Sequence, residues 1–366
     1  MDTEHATPLG PDRVRAAVTG TRDPDRMERA ALTALRDRPI DGGAYRLLAQ
    51  AAATRGDDER AGMLFRIAVR RDPRDWQAHA FLMDDAFRQG NAAEGLAHLD
   101  AILRVVPDLG DSLLPALSAE LGDPRLRSAL VDVLAVNPPW TGRMTATLRA
   151  PASNPEHAAA VLQLLAAKRG LDAGERSALI DTLMRADRAS DARSAWVQGV
   201  DPHERALADL VFDGGFEEAA PVTGEFAWSW DSGPGIDLSL DPSYAASGRQ
   251  SLRIGFNGRA VTLRAPSQRL ALLPGHYELA IAFDDRTNAP RPFSIAVTCP
   301  KGELLIRREL VNSERGGWTR VREPFAVPDL CAWQRISLDM RARSVADTQI
   351  AGELHLDEIS IRKNLD

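Results

Sequence analysis

The feature that most constrains the fold of this chain is a 34-residue spacing of its prolines and glycines. Pro39, Pro73 and Pro107 lie 34 residues apart at each step, and so do Gly56 and Gly90. A fixed period of this size is typical of arrays in which each repeat is a pair of helices stacked on the next pair. Proline ends each pair because it cannot continue a helix, and glycine permits the turn between the two helices. The spacing therefore predicts a helical solenoid.

The residues between these prolines agree with the period. Residues 43–75, "GAYRLLAQAAATRGDDERAGMLFRIAVRRDPRD", carry two apolar rows, which consist of Tyr45, Leu48, Ala49, Ala52 and of Ala61, Phe65, Ala68. This segment resembles a tetratricopeptide (TPR) repeat. The next unit, residues 76–109, departs from the pattern at His79, where an aromatic residue is expected, and at Gly95, where alanine is expected. A half-repeat, "PDRMERAALTALRDRP", precedes both units.

Helical patterning continues beyond Pro107, although the strict period is lost. Apolar residues recur at three- and four-residue steps in "DSLLPALSAEL", "PRLRSALVDVLAV", "NPEHAAAVLQLLAAKRG", "AGERSALIDTLMRA" and "SDARSAWVQGV". These segments predict shortened TPR-like helix pairs that cap the solenoid. We therefore expect a flexible segment over residues 1–22 and a TPR-like helical domain over residues 23–206.

From Leu210 onward the hydrophobic period changes from helical to two, which is typical of strands. Short alternating segments, "SLRIGF", "AVTLRA", "QRLALL", "YELAIAF", "FSIAVTC", "ELLIRREL", "RISLDM" and "HLDEISI", are separated by turn residues such as "NGR", "PGH" and "PKG". No helical segments intervene, which argues against a parallel sheet. The predicted fold class is therefore α then β: a helical solenoid followed by an antiparallel β-sandwich (jelly roll) over residues 207–366.

Four segments of the second part occur in an order that resembles carbohydrate-binding jelly-roll modules of bacterial glycanases: "VFDGGFEE", "SGRQSLRIGF", "LLPGHYELAI" and "ELHLDEISIRK". The likeness covers Leu210 to Lys363. The pairing of TPR repeats with such a module resembles bacterial proteins associated with exopolysaccharide or envelope export. The resemblance favours a disulfide between Cys299 and Cys331, with two buried free thiols as the alternative. It also implies a structural calcium ion at Glu217 and Asp357, with two surface acids as the alternative.

The stretch "EFAWSW" places Phe226, Trp228 and Trp230 at alternate positions, on one face of a predicted strand. Aromatic faces bind sugars because pyranose rings present apolar C–H groups, so Trp228 and Trp230 are candidate sugar-binding residues. Their candidate hydrogen-bonding neighbours are Tyr244, Gln268 and Asp231. The alternative, which base rates favour, is that the stripe fills the sandwich core. Trp318 and Trp333 are predicted to be packing residues.

The TPR-like part predicts a groove for a peptide or partner helix. Repeat geometry assigns five polar or aromatic residues to it: Arg46, Gln50, Asp84, Phe87 and Arg88. The alternative is a solvated face on a spacer.

Charge and motifs exclude several functional classes. A formal charge of −7 and a pI near 5.6 argue against a nucleic-acid partner. No apolar run is long enough to predict a transmembrane segment. The start, "MDTEHATPLGPDRVR", lacks the apolar core of a signal peptide, so an envelope location would require a targeting segment absent from this chain. Periplasmic or envelope location is the expectation, and cytoplasmic is the alternative.

An enzyme is not expected, because the sequence has no HExxH motif, nucleophile elbow, phosphate-binding loop or dinucleotide fingerprint. The leading hypothesis is a non-catalytic scaffold in bacterial envelope polysaccharide assembly or export. Its helices would bind a protein partner and its sandwich a glycan or protein. The second hypothesis is a purely protein-binding scaffold whose sandwich serves oligomerisation or docking. The third is a glycan hydrolase or lyase.

Overall fold

The structure is a computed structural model that describes residues 23–201, 204–218, 224–229, 232–263, 266–313 and 317–364. Its chain divides into two compact units, one ending at Thr182 and one beginning at Leu183. The predicted flexible segment, residues 1–22, lies outside the described residues.

Eleven α-helices occur in the described part of the chain before the first strand. They are α1 Pro24–Asp37, α2 Gly42–Thr54, α3 Asp58–Arg71, α4 Trp76–Arg88, α5 Ala92–Val105, α6 Gly110–Ala119, α7 Pro124–Leu134, α8 Thr141–Arg149, α9 Pro155–Arg169, α10 Ala173–Arg185 and α11 Ala189–Gly199. Sequence analysis anticipated each of these except α8. No described helix is long and apolar enough to cross a membrane.

The 34-residue period reappears in the helix bounds. Helices α1, α3 and α5 begin at residues 24, 58 and 92, and helices α2, α4 and α6 begin at residues 42, 76 and 110. The caps repeat as well. Asp41 and Asp75 accept a hydrogen bond from the backbone N–H three residues later, and so do Asp57 and Asn91. The first unit is therefore consistent with a helical repeat that starts on a half-repeat.

Packing within the repeats explains one departure from the pattern. An added Cβ at Gly95 would lie 2.5 Å from the Phe87 ring, so the aromatic side chain occupies the space that alanine would fill. Between the repeats, Phe65 and Phe81 stack with ring centroids 4.3 Å apart. Both rings are fully buried.

Nine strands occur among the described residues of the second unit: β1 Ile236–Asp241, β2 Ser251–Ala260, β3 Ser267–Leu270, β4 Gly275–Asp285, β5 Phe293–Thr298, β6 Leu304–Glu309, β7 Thr319–Val327, β8 Gln334–Met340 and β9 Gln349–Lys363. They form a five-stranded sheet in the order β1-β2-β9-β4-β7 and a four-stranded sheet in the order β3-β8-β5-β6. Every pair of neighbouring strands is antiparallel. The predicted order of helices followed by an antiparallel sandwich is confirmed.

Alternate residues of both sheets fill the core between them. Phe256 of β2 stacks on Phe293 of β5 across the two sheets, with ring centroids 5.4 Å apart. A disulfide joins Cys299, just after β5, to Cys331, just before β8, with 5.4 Å between their Cα atoms. Both cysteines are buried at one end of the core.

The strand predictions differ from the structure in two respects: the described residues of one predicted segment do not form a strand of their own, and two strands were not predicted. In the predicted strand "AVTLRA", β2 ends at Ala260 and residues 261–263 are not in a strand, while residues 264 and 265 lie outside the described residues. Strands β1 and β7 were missed. β7 contains Pro324, which tolerates only an edge position, and β7 is an edge strand of its sheet. Its exposed arginines and its proline protect that edge from pairing with other chains.

Helix α11 belongs to the second unit and packs against residues that precede the first strand. Trp196 of α11 contacts Phe212 edge-on, with ring centroids 4.9 Å apart, and also contacts Phe226. Arg193 of the same helix donates a hydrogen bond to the carbonyl of Ala208. These contacts explain why the second unit begins before the change from helix to strand.

A largely buried histidine pair joins α4 to α5. His79 Nδ1 lies 2.8 Å from His98 Nδ1, and His79 Nε2 lies 3.1 Å from the carbonyl of Pro73. Since that carbonyl can only accept, His79 Nε2 donates to it and His98 Nδ1 donates to His79 Nδ1. Burial, together with the neighbouring His79, lowers the pKa of His98 to about 4, and burial also lowers the pKa of His79.

The histidine pair predicts a loss of stability in mild acid. Because the pKa of His98 is depressed on folding, the unfolded chain binds a proton first as the pH falls below the ordinary value of 6.5. Relative to His98→Asn, the wild-type helical unit should lose about 3 kcal/mol of unfolding free energy between pH 6.5 and 4. Urea unfolding followed by far-ultraviolet circular dichroism measures this. Parallel pH profiles for the two proteins would contradict the prediction.

Candidate functional site

The outer face of the five-stranded sheet is polar, and the strand period sets its residues. On β9, Glu353, His355 and Asp357 alternate with the core residues Leu354 and Leu356. The antiparallel register brings Arg253 of β2 and Asp284 of β4 opposite His355. A row of ionisable side chains therefore crosses three adjacent strands on the face that points away from the core.

Three side chains form a stack over this row. The rings of Tyr244 and Trp318 are nearly parallel, with centroids 5.1 Å apart and an interplanar angle of 17°. The guanidinium carbon of Arg286 lies 4.1 Å from the centroid of the Tyr244 ring. Both groups therefore pack against the Tyr244 ring. His355, which is 1% exposed, contacts both rings edge-on from below.

Asp284 fixes the position of the stack. Its Oδ2 accepts a hydrogen bond from the Tyr244 hydroxyl and another from Arg286 Nε, each at 2.8 Å. The Asp284 side chain is almost fully buried, whereas about half of the Arg286 side chain is exposed. Burial, with the hydrogen bond to Asp284, raises the pKa of Tyr244. The phenol therefore stays protonated and keeps its hydrogen bond to Asp284.

Beside the stack, a charged group remains open to solvent. Arg253 binds Glu353 through two guanidinium nitrogens, at 2.9 and 2.5 Å, and its third nitrogen lies 3.5 Å from Asp237. The hydrogen bond from Arg253 lowers the pKa of Glu353. Both carboxylates retain exposed surface. The group offers fixed donors and acceptors to a polar ligand, next to the aromatic stack.

One arrangement in the site has the residue types of a catalytic triad. Ser251 Oγ lies 3.3 Å from His355 Nδ1, and His355 Nε2 lies 3.6 Å from Glu353 Oε2. However, Ser251 is fully buried and its hydroxyl donates to the carbonyl of Tyr244 at 2.6 Å. A nucleophile needs an accessible oxygen whose proton passes to a base. This serine instead anchors the loop that carries Tyr244.

The structure buries two of the predicted sugar-binding residues. Trp228 is 5% exposed, packs on Phe216, and donates its indole N–H to the carbonyl of Asp213 at 3.1 Å. Gln268 is buried and exchanges two hydrogen bonds with the backbone of Phe212. Both are core residues rather than surfaces that a sugar could reach, which corrects their assignment.

The described part of the aromatic stripe, which includes Phe226 and Trp228, does not form a strand. Residues 224–229 form turns and one isolated bridge, at Ser229. Phe226, like Trp228, is buried. Trp230 and Asp231 lie outside the described residues. Tyr244 does lie over the polar face of the sheet, but Trp318, Arg286 and His355 pack against its ring, so it supports Trp318 rather than offering an open stacking surface.

The predicted calcium residues accept hydrogen bonds from nearby donors. Asp357 is fully buried and accepts hydrogen bonds from the backbone N–H groups of Ala246, Ser247 and Glu358. Glu217 accepts from the backbone and guanidinium of Arg249. Calcium needs six to eight oxygen ligands, whereas donors surround these carboxylates. No group of three His, Cys, Asp or Glu side chains that could hold a metal occurs among the described residues. The donors around both carboxylates argue against a calcium ion, which stays a prediction.

The predicted peptide groove is only partly accessible in the helical unit. Gln50 and Asp84 are buried, and Phe87 packs over Gly95. Arg46 donates a hydrogen bond to Asp75 at 2.7 Å. The remaining groove residue, Arg88, is exposed and pairs with Asp84 at 3.1 Å. Peptide binding by these residues stays a prediction.

Sequence analysis missed most of the residues that form the site. Trp318 was assigned to packing, yet it is only partly buried, and its indole nitrogen has no hydrogen-bond partner among the described residues. Two signals could have identified the others. The alternation "GELHLDE" places Glu353, His355 and Asp357 on one face, and "FDDR" ends a strand with a carboxylate beside Arg286.

Comparisons with known proteins bear on the sandwich fold. No protein-family model matches the chain, and no curated protein matches it. Among solved structures, the CBM22-1 xylan-binding domain of Paenibacillus barcinonensis Xyn10C is 17% identical over 41% of this chain and 91% of that one, with a TM-score of 0.29. A CBM4 structure is 14% identical over 42% and 99%, with a TM-score of 0.32.

A third similar structure is the CBM6cm-2 module of Cellvibrio mixtus lichenase 5A in complex with cellotriose. It is 12% identical over 36% of this chain and 88% of that one, with a TM-score of 0.24. The C-terminal sandwich thus resembles carbohydrate-binding modules. Likeness at this level concerns the fold alone, so any function must be argued from contacts within this chain.

The contact between Tyr244 and Asp284 predicts a change in phenol titration. Asp284→Asn removes the carboxylate charge that, with burial, disfavours the tyrosinate, so the pKa of Tyr244 should fall toward its ordinary value of 10.0. Ultraviolet phenolate titration measures this, with Tyr244→Phe identifying the signal and circular dichroism confirming that the fold persists. An unchanged Tyr244 titration in Asp284→Asn would show that the hydrogen bond does not form.

Proposed function

We propose that the sandwich is a non-catalytic glycan-binding module whose binding surface is the outer face of its five-stranded sheet. The observation that carries the proposal is the Arg286–Tyr244–Trp318 stack, in which a partly exposed indole is held rigid by Tyr244 and, through it, by the buried Asp284. An indole face suits the apolar C–H surface of a pyranose ring. Because the stack is already ordered, little conformational entropy is lost on binding.

The polar neighbours suit sugar hydroxyls. The Arg253–Glu353 pair and Asp237 place a cation between carboxylates on the same face as the stack. Such a group donates to one hydroxyl and accepts from the next. A purely apolar partner would leave these charges desolvated, which is costly. The surface therefore favours a hydroxylated ligand over an apolar protein surface.

Catalysis is not part of the proposal. Hydrolysis of a glycosidic bond requires two carboxyl groups at a set separation across the bond. Asp284 is buried beneath the stack, and Glu353 is engaged by Arg253. Neither is free to act as a general acid.

For the helical unit we propose binding of a protein partner, in a scaffold for bacterial envelope polysaccharide assembly or export. The 34-residue repeat in the helix bounds supports a repeat array, and such arrays present extended binding surfaces. The purely protein-binding alternative would be favoured by complete burial of the tryptophans. Trp318 is instead only partly buried, which favours a ligand surface on the sandwich.

Glycan binding predicts a specific loss in one tryptophan variant. Trp318→Ala removes the proposed stacking face and should weaken binding of glycans identified on a glycan array at least about tenfold. Isothermal titration calorimetry measures the affinity. Trp333→Ala, a partly buried tryptophan that stacks on Arg269 elsewhere in the sandwich, is the matched control and should bind as the wild type does. Equal affinities for all three proteins, or no glycan bound by the wild type, would refute the proposal.

An envelope location predicts an oxidised cysteine pair. Disulfides persist in oxidising compartments, so protein isolated without reductant should show no free thiol at Cys299 or Cys331. Reduction should then release two thiols and lower the unfolding free energy of the sandwich by about 3 kcal/mol. Thiol titration under denaturing conditions measures the first result. Two free thiols in natively isolated protein would support the cytoplasmic alternative.

A further inference from the structure

A cleft of about 540 Å³ opens on the same outer face of the five-stranded sheet, beyond the stack. Its floor lies on β4 and β9, where Ala280 pairs with Ser360. Arg322 of β7 pairs with Ala280 on the other side. Small residues at the centre and long ones at the rim produce the recess, because outward-facing side chains on neighbouring strands stand side by side.

The segment that enters the sandwich, Leu207–Glu217, forms the opposite wall of the cleft. It is held close to the last strand: the N–H of Ile359 donates to the Gly214 carbonyl at 2.8 Å, and a Cβ at Gly214 would lie 1.7 Å from the Ile359 oxygen. Asp213 caps the segment by accepting from the Glu217 N–H at 2.7 Å. This wall is therefore built into the fold rather than being a loose loop.

Two of the three arginines that line the cleft pair with carboxyl groups that also line it. Arg320 binds Glu358 through two nitrogens, at 2.7 and 3.1 Å. Arg322 lies 3.7 Å from Glu278. With three arginines and five carboxyl groups, the lining disfavours an anionic ligand, and its ion pairs offer fixed hydrogen-bond donors and acceptors. It suits an uncharged ligand with many hydroxyl groups.

Arg320 also joins the cleft to the stack. Its guanidinium donates to the carbonyl of Ala246, in the loop that carries Tyr244, and it follows Trp318 by two residues. Along β4, the stack lies at Asp284 and the rim of the cleft at Glu278, about 20 Å apart at the usual rise per residue. The two features therefore form one continuous surface that is long enough for several sugar units.

We propose that the cleft is a second subsite of the glycan surface, where the entering segment Leu207–Glu217 and the rim arginines bind the units of an uncharged glycan chain that follow the unit on Trp318. This inference rests on the proposed function and specifies its ligand: an extended, neutral chain rather than a single terminal sugar.

The test compares ligands of different length on two sets of variants. The probe is a series of neutral β-linked oligosaccharides, from disaccharide to octasaccharide, of the type bound on the glycan array. Arg322→Ala/Arg362→Ala removes two exposed rim cations without touching the core. Arg335→Ala, an exposed arginine on the outer face of the other sheet, is the matched control.

Wild-type affinity should rise with chain length until both subsites are covered. The double variant should lose about tenfold in affinity for the long chains and keep wild-type affinity for the short ones. Trp318→Ala should weaken all lengths. Added salt should leave the affinity for long chains unchanged, since no net charge is matched.

Three results would overturn the inference in different ways. Affinity independent of length, or long chains bound equally by the double variant and wild type, would refute the second subsite and leave the proposed function intact. A preference for carboxylated chains that disappears with salt would refute the neutral ligand class. Failure of the wild type to bind any length would refute the proposed function, and this inference with it.

Discussion

The pairing of β9 with both β2 and β4 is the constraint on which the rest of the sandwich depends. This strand lies at the centre of the five-stranded sheet, and its register decides which side chains share the outer face. Because side chains alternate, a slip of one residue would turn Leu354 and Leu356 to solvent and bury Glu353. The same register that fills the core therefore assembles Arg253, His355 and Asp284 into one row. Core packing and site geometry are set by a single set of backbone hydrogen bonds.

That row carries buried polar groups, which destabilise a protein unless their hydrogen bonds are satisfied. Asp284 is satisfied by Tyr244 and Arg286, and Asp357 by three backbone N–H groups. These hydrogen bonds anchor the loop that carries Tyr244 to the outer face of the sheet, so the surface is ordered. A shape held by such networks is suited to ligand binding, since the groups need not reorganise when a ligand arrives. Asp357 and Glu217, the predicted calcium residues, accept hydrogen bonds that anchor loops in the same way.

How much could be predicted differs between the two parts. The helical repeat was predictable in detail, because each helix, cap and turn depends on residues close in sequence. The 34-residue period of prolines reappears in helix bounds and in the caps Asp41 and Asp75. Most strands were predictable too, and those missed are β1 and the edge strand β7, where Pro324 hides the alternation. The site was not predictable in the same way. Trp228 and Trp318 are both tryptophans beside turns, and only the assembled sheets bury one and leave the other partly exposed.

By itself, the sequence determined the fold class, the repeat length and the position at which helices give way to strands, since these follow from local periodicity and turn chemistry. It also determined that Cys299 and Cys331 are the two thiols available to pair. The tertiary structure alone decided that Gln268 and Trp228 are core residues and that Tyr244 supports Trp318. It also decided that the segment Leu207–Glu217 lines a cleft with β4, β7 and β9. The physical reason is distance along the chain: β2, β4, β7 and β9 bring together residues separated by up to about a hundred positions, and no local pattern records which of them meet.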